Sequence, residues 1–486
     1  MLFNSYIFVL LFLPIVLAGW FQLNKYGRYK LAEAFLLGMS LWFYGYFNFN
    51  YLLIIITSIF ANYGAYKALS RCRLCTQRKF IFFSGLSFNL GILFYFKYFD
   101  FFLENINAAF QASFPLRHIL LPLGISFYTF QQLSFLIDCY KQEVPEYSFL
   151  QYAVYVTYFP QLIAGPIVTH DEFIPQLNNM ANRRLNWEGL AKGLYLFTLG
   201  LAKKVLIADT FGNAVNWGYA TVASLDSINA FLLMLSYTIQ IYFDFSGYCD
   251  MALGIGQMMN FKLPVNFSSP YQSLTVTEFW DRWHMTLTRF FTRYIYIPLG
   301  GSKKGACRTY LNTMAVFLLS GLWHGANWTF ILWGACNGIF IVASKHWKNF
   351  FCKLHPALNW LVTFGFVNVM WVLFRASSIQ EALQVIKKIA MLQFSGIRPE
   401  FTNTFNLTEF RMVLSLLHLD ILNRYPYFFM VGFFLVAFLL LFSNKNAPEH
   451  AAAFQPTAGK CFFTVALLVW CIFSFSGLST FLYFNF

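Results

Sequence analysis

Apolar residues in this chain gather into long runs separated by short polar stretches, with little of the strict alternation that marks strands. The runs cover 2–23, 31–47, 49–66, 80–98, 119–138, 150–168, 190–208, 228–250, 310–326, 328–345, 357–374, 427–443 and 461–484. A helix that crosses a bilayer needs about 20 mostly apolar residues, so each run is a candidate span. Two of them are broken. Leu121-Pro122-Leu123-Gly124 and the stretch from Phe159-Pro160 to Gly165-Pro166 would leave backbone groups unpaired in lipid. Such backbone is tolerated only where protein or a watery cavity surrounds it. The pattern predicts an all-α polytopic membrane protein with about 11–12 transmembrane helices plus re-entrant or amphipathic pieces. It forms a single integral membrane domain over residues 1–486, with C-terminal helices from about 390.

The stretch from Thr275 reads differently. Thr275-x-x-Glu278 is a capping-box pattern, and Pro298 sets a limit, so a helix is predicted between them. At about 100° per residue, Glu278, Arg282, Arg289 and Arg293 share one face. Phe279, Trp283, Leu287, Phe290 and Tyr294 share the other, and His284 falls on the apolar side. This predicts an amphipathic helix at an interface, with its histidine turned inward. A second histidine, His324, lies in Ser320-Gly321-Leu322-Trp323-His324-Gly325. Gly321 and Gly325 make a small-xxx-small pattern that lets another helix approach closely.

Composition narrows the class. Hydrophobic residues make up 58% of the 486, and charged residues only 11%, against about 25% in soluble proteins. Mean hydropathy is +0.54. The net charge of +14 therefore reads as basic loops facing the cytosol and anionic headgroups, rather than as a nucleic-acid surface. Lys25 to Lys30, the loop with Lys67, Arg71, Arg73, Arg78 and Lys79, and the segment with Lys303, Lys304 and Arg308 are the cytosolic candidates. The first run has no basic residue before it, so it is expected to be a retained helix with its N-terminus outside. The polar interval 387–426 is too short for a soluble domain of about 50 residues or more. Cys72-x-x-Cys75 lacks the two further ligands of a structural zinc site, and no metal site is expected.

Ionisable residues inside a membrane protein are costly, and by default they mark functional sites. A neutral, buried imidazole at His324 could take the proton of a hydroxyl as a general base. Asp244 and Asp250, within Tyr242-Phe243-Asp244-Phe245-Ser246-Gly247-Tyr248-Cys249-Asp250, read better as structural ion-pair partners. The chain has no HExxH, GxSxG or GxxxxGK[ST] pattern, so zincin, α/β-hydrolase and P-loop chemistry are not indicated.

Five segments occur in one order: Phe159-Pro-Gln-Leu-Ile-Ala-Gly-Pro-Ile167, Asp244-Phe-Ser-Gly-Tyr248, Glu278-Phe-Trp-Asp-Arg-Trp-His284, Tyr296-Ile-Pro-Leu-Gly-Gly301 and Gly321-Leu-Trp-His-Gly325. As a set, over roughly residues 40–380, they resemble the membrane-bound O-acyltransferase (MBOAT) family. The likeness is to its alginate O-acetylation (AlgI-like) branch, with the D-alanyl transferase DltB a close cousin. The resemblance implies a ring of tilted helices around a tunnel, with His324 as the catalytic histidine and His284 as its second histidine. The implied donor is acetyl-CoA from the cytosol, whose phosphates would meet Arg289, Arg293, Lys303, Lys304 and Arg308. His284 would orient the reactants or stabilise an oxyanion. The acetyl group would pass to an extracytoplasmic SGNH-type partner that modifies alginate, cellulose, peptidoglycan or a similar polysaccharide, at a bacterial inner membrane. D-Alanyl transfer from a carrier protein is the runner-up, and a transporter or flippase the non-enzymatic alternative. One position departs from the branch: Asn337 stands where a further histidine is frequent.

Overall fold

The computed structural model describes residues 1–72, 74–418, 425–475 and 481–482. Arg73 of the basic loop, residues 419–424 of the polar interval and the end of the expected span 461–484 lie outside them. In chain order the principal helices are α1 (Phe8–Lys25), α2 (Tyr29–Gly45), α3 (Asn50–Arg71), α4 (Cys75–Phe110), α5 (Ile125–Tyr140) and α6 (Trp187–Ala202). There follow α7 (Ser227–Met258), α8 (Val276–Arg282), α9 (Met285–Phe291), α10 (Ala306–His324), α11 (Trp328–His346) and α12 (Pro356–Arg375). The last three are α13 (Ile379–Ala390), α14 (Phe428–Leu441) and α15 (Ala458–Phe473). Six of these, α1, α3, α4, α7, α11 and α12, are long and apolar enough to cross a membrane, and α14 and α15 are shorter apolar helices.

The two Pro/Gly-broken segments pack against each other inside the protein. Gly124 adopts a left-handed φ of +71°, and a side chain there would sit 2.6 Å from the Leu162 carbonyl oxygen. The broken run thus becomes Phe149–Thr157, a four-residue turn Phe159–Leu162 and an extended stretch of chain, buried from Tyr152 onward. This is the setting in which irregular backbone survives at membrane depth.

Helix α7 is the axis of the bundle. Two consecutive lysines in the π-helical continuation of α6 reach it: Lys203 binds Asp250 at 2.6 Å and Lys204 binds Asp244 at 2.6 Å. Both acids are therefore structural partners, as expected, although of lysines rather than of the arginine row. A second polar joint ties α3, α4 and α5 together. Ser58 and Asn62 donate to Gln132 Oε1 at 2.6 and 2.7 Å, and Asn89 donates to Asn62 Oδ1 at 2.7 Å. Polar side chains bonded across helices hold such bundles where no hydrophobic force can.

The hairpin of α10 and α11 carries the second histidine. Gly321 lies so close to α11 that a Cβ there would stand 2.3 Å from the Phe330 carbonyl oxygen. Gly321→Ala is expected to push the helices apart and lower the melting temperature in detergent. Gly365→Ala in α12, where nothing lies within 4 Å of the new Cβ, should be neutral or stabilising by up to about 1 kcal/mol.

The helices also share a polarity. Trp328, at the start of α11, donates to Asn105 near the far end of α4 at 2.9 Å. Tyr98 meets the Leu322 carbonyl as well, so the C-terminal end of α10 lies beside the second half of α4, and Lys303, Lys304 and Arg308 stand at the opposite, Ala306 end of α10.

Candidate active site

The expected single helix from Thr275 to Pro298 is two helices. Thr275 does cap the first, accepting from the Glu278 backbone at 3.1 Å, but Glu278 closes on Leu274 rather than on Thr275. The break falls at His284, whose φ of 49° is left-handed. That conformation is costly for a side chain larger than glycine and marks a position held by its surroundings. Asn266 does the holding. Its Oδ1 accepts from the Thr286 backbone (3.1 Å) and hydroxyl (2.8 Å) and meets His284 Nδ1 at 3.3 Å. Its carbonyl accepts from the Met285 amide at 3.0 Å. An amide oxygen can only accept, so this contact sets the proton on Nδ1 and leaves Nε2 as the acceptor of the ring. Helical periodicity cannot foresee this break, because it assumes continuity.

With the helix broken, the arginine row divides. Arg282 pairs with Glu278 at 2.8 Å. Arg289 clasps Glu172, its second nitrogen at 2.9 Å. Arg293 lies 3.3 Å from Asp138, 3.5 Å from Glu143 and 3.8 Å from Asp171. Tyr294 donates to Asp138 at 2.8 Å. Burial works to raise the Asp171 carboxyl, but the Thr169 hydroxyl, His170 and Arg293 outweigh it and hold it below the usual carboxylate range. Arg289 and Arg293 border a separate cavity of about 210 Å³ and are not brought to the histidines.

His284 and His324 are brought together. They are 2% and 4% exposed and both line one cavity of about 250 Å³, with Trp280, Leu287, Phe291, Val316 and Ser320. His324 is ringed by aromatic side chains: Trp323 at 4.8 Å, Phe374 at 5.0 Å and Trp333 at 5.2 Å between centroids. Trp323 also lies edge-on to His284 at 6.1 Å. The cavity runs along α10 past Thr313 toward the basic end, where Lys345, Asp281 and Tyr296 form its outer part. Lys345 Nζ donates to Thr313 at 3.4 Å. Burial, helped by Glu278, pushes the Asp281 carboxyl up. Lys303, Lys304 and Arg308 stand outside this lining, and Arg308 donates to the Leu299 carbonyl at 3.1 Å.

On its other side His324 lines a small polar pocket of about 20 Å³ with Lys97 and Ser126. Lys97 and Leu121 are shared with a cavity of about 450 Å³ beyond it, bordered by Asp100, Glu104, Gly325, Asn327 and Arg375. That cavity lies past the C-terminal end of α10. The histidine thus stands at the waist between hollows that reach toward opposite ends of the same helix.

Sequence reasoning missed four contributors: Lys97, Tyr98, Asn266 and Lys345. Lys97, in a π-helical turn of α4 (Phe94–Tyr98), donates to the Trp323 carbonyl and, at 3.3 Å, to the His324 carbonyl and Ser126. Tyr98 donates to the Leu322 carbonyl at 2.9 Å. Together they satisfy the last carbonyls of α10, which have no partner inside the helix, with an amine and a hydroxyl donor. Lys97 sat inside an apolar run and was a visible signal; Asn266 and Lys345 lay outside any motif. Asn337 accepts from Trp280 at 3.1 Å and so ties α8 to α11. Asn266→Ala is expected to lower kcat by up to about 10²-fold through misplacement of His284, while the KM for donor holds; steady-state kinetics check this.

The model of the MBOAT, membrane-bound O-acyltransferase family matches residues 125–380, a segment that contains both histidines. A peptidoglycan O-acetyltransferase of Helicobacter pylori is 38% identical, covering 100% of this chain and 98% of the relative. The probable alginate O-acetylase AlgI of Pseudomonas aeruginosa is 37% identical, over 84% of this chain and 78% of its own. The teichoic acid D-alanyltransferase of Bacillus subtilis is 26% identical, over 52% and 65%. With the all-helical bundle, the buried histidine pair and this extent of likeness, the chain belongs to the membrane-bound O-acyltransferase family.

Proposed function

We propose that this enzyme moves an acetyl group from cytosolic acetyl-CoA to an extracytoplasmic acceptor, for O-acetylation of a cell-envelope polysaccharide. The observation that carries the reading is the position of His324 between hollows reaching toward opposite ends of α10. The excess of Lys and Arg at the Ala306 end makes that end cytosolic under the positive-inside rule. This orientation lets an anionic donor reach the 250 Å³ cavity without crossing lipid, in a bacterial inner membrane.

In the reaction, His324 takes the proton of the acceptor hydroxyl, and that oxygen attacks the thioester carbonyl. The C–S bond breaks, the acetyl oxygen ester forms, and the CoA thiolate recovers the proton from the imidazolium. His284, with its acceptor nitrogen set by Asn266, orients the hydroxyl. Of the two roles expected for it, orientation fits this tautomer better than oxyanion stabilisation, which needs a donor. Lys345, with Lys303 and Lys304 on the neighbouring loop and Arg308 in the first turn of α10, meets the donor phosphates. Arg289 and Arg293, already matched to carboxylates, anchor α9 instead. The relatives named for peptidoglycan and alginate acetylation support a polysaccharide as the final acceptor, reached through an SGNH-type partner outside the membrane.

Incubating the purified protein with labelled acetyl-CoA, or with a D-alanyl-charged carrier protein, separates the two donor readings. CoA release with label transfer is expected from the first, and turnover of the carrier alone would overturn it. Charge reversal at Lys345 is expected to raise the KM for acetyl-CoA roughly tenfold with kcat little changed, since a charge-assisted hydrogen bond contributes about 1.5–3 kcal/mol; a dose–response curve reads this directly.

A further inference from the structure

A cavity of about 570 Å³ lies across α7 from the histidines. Phe243 lines it, whereas Phe245, two residues on, packs edge-on against His284 at 4.8 Å. Its other walls come from α6, α14 and α15, among them Gly432, Val436, Leu467 and Trp470. Helix α14 reads FFMVGFFLVAFLLL. A helix apolar all round belongs in a lipid or protein interior. It nevertheless leaves Val431, Leu435 and Leu439 more than half exposed. Gly432 is exposed, and a side chain added there would meet nothing within 4 Å, so this wall of the groove has room for a guest. The 14 residues of α14 extend roughly 21 Å, more than the depth of one leaflet, half of a hydrocarbon core of about 30 Å.

One end of this hollow is polar. Ser443, Lys445, Asn446 and His450 line it there. Their loop is fixed in place: Gln272 donates to the Ser443 carbonyl at 2.7 Å and Asn446 to the Phe267 carbonyl at 3.1 Å. Among the described residues Lys445 makes no ion pair, unlike Lys203 deeper in the same wall, which is neutralised by Asp250. An apolar slot walled by a helix long enough to cross one leaflet, which ends at an uncompensated ammonium and an imidazole, is complementary to an acyl chain carrying a phosphate. Basic pockets between helices select anionic headgroups in this way.

We propose that this groove is a binding site for one anionic phospholipid, its acyl chain between α14 and α15 and its phosphate against Lys445 and His450. The site is separate from the acyl-transfer cavity and does not depend on the donor assignment. The test is native mass spectrometry of the delipidated full-length protein titrated with phosphatidylglycerol, phosphatidylcholine of the same chains, or a polyprenyl phosphate. One phosphatidylglycerol is expected to bind more tightly than phosphatidylcholine. Lys445→Gln should weaken it roughly fivefold and remove the preference, and Gly432→Phe, which fills the slot, should abolish binding. Equal binding of the two phospholipids, preference for the polyprenyl phosphate, or unchanged affinity in Lys445→Gln would overturn the proposal. Lys445 is exposed, so that variant decides the matter even if Gly432→Phe fails to fold.

Discussion

Replacing His324 with alanine is expected to lower acetyl transfer by roughly 10²–10⁴-fold, the range general-base catalysis supplies. The protein should still insert, and its melting temperature in detergent should stay near that of the parent. The reason lies in what surrounds the ring. Its position is set by the α10 backbone, whose last carbonyls are held by Lys97 and Tyr98, and by contacts with Trp323, Trp333 and Phe374. Those aromatic residues also pack on one another, with Trp333 and Phe374 5.4 Å apart. Removing the imidazole should therefore take away the proposed proton acceptor and leave the scaffold. A parallel loss of stability and activity would point to a packing role instead.

The second large effect concerns stability. Lys204 is 1% exposed and contacts Asp244 at 2.6 Å and Asp209 at 2.8 Å. Its ammonium also lies 4.6 Å from the Phe481 ring, and Asp244 accepts from the Leu482 amide at 2.9 Å. Lys204→Met would strand a carboxylate that is 2% exposed. Breaking one partner of a buried pair typically costs about 3–5 kcal/mol. Thermal unfolding in detergent should show this as a large drop, and the double variant Lys204→Met with Asp244→Asn should recover much of it, since the fully buried carboxylate is then neutral and Asp209, 24% exposed, is reached by water. A single variant as stable as the parent would show that water reaches the pair.

How legible this was from the chain varies with the kind of constraint. The polytopic all-α class was legible because a bilayer demands length and apolarity, and neither property depends on tertiary contacts; of the thirteen runs, six form helices long and apolar enough to cross among the described residues, against about 11–12 expected. The Gly321 contact was legible for a similar reason: a small residue beside a histidine in an apolar run has few other uses. What the sequence hid is non-local. The break at His284 is imposed by Asn266, which sits 18 residues earlier and is an ordinary polar residue until folded against it. The division of the arginines follows from that break, since periodicity projects Arg289 and Arg293 onto the face of Glu278 only if the helix continues. Lys345 came to the cavity through the antiparallel return of α11 along α10, a pairing that hydropathy does not encode. Lys203 and Lys204 closed on Asp250 and Asp244 through a π-helical turn, which likewise has no clear sequence mark.

The central claim is that a buried histidine links donor and acceptor across the membrane, and proteoliposomes of fixed orientation test it most directly. Acetyl-CoA is supplied only on the face bearing Lys303 and Lys345, and a hydroxyl acceptor is sealed on the other. Acetylated acceptor is expected with the parent protein and none with His324→Ala, while CoA stays on the side where it was added. Transfer that occurs only when both substrates share one face would contradict it.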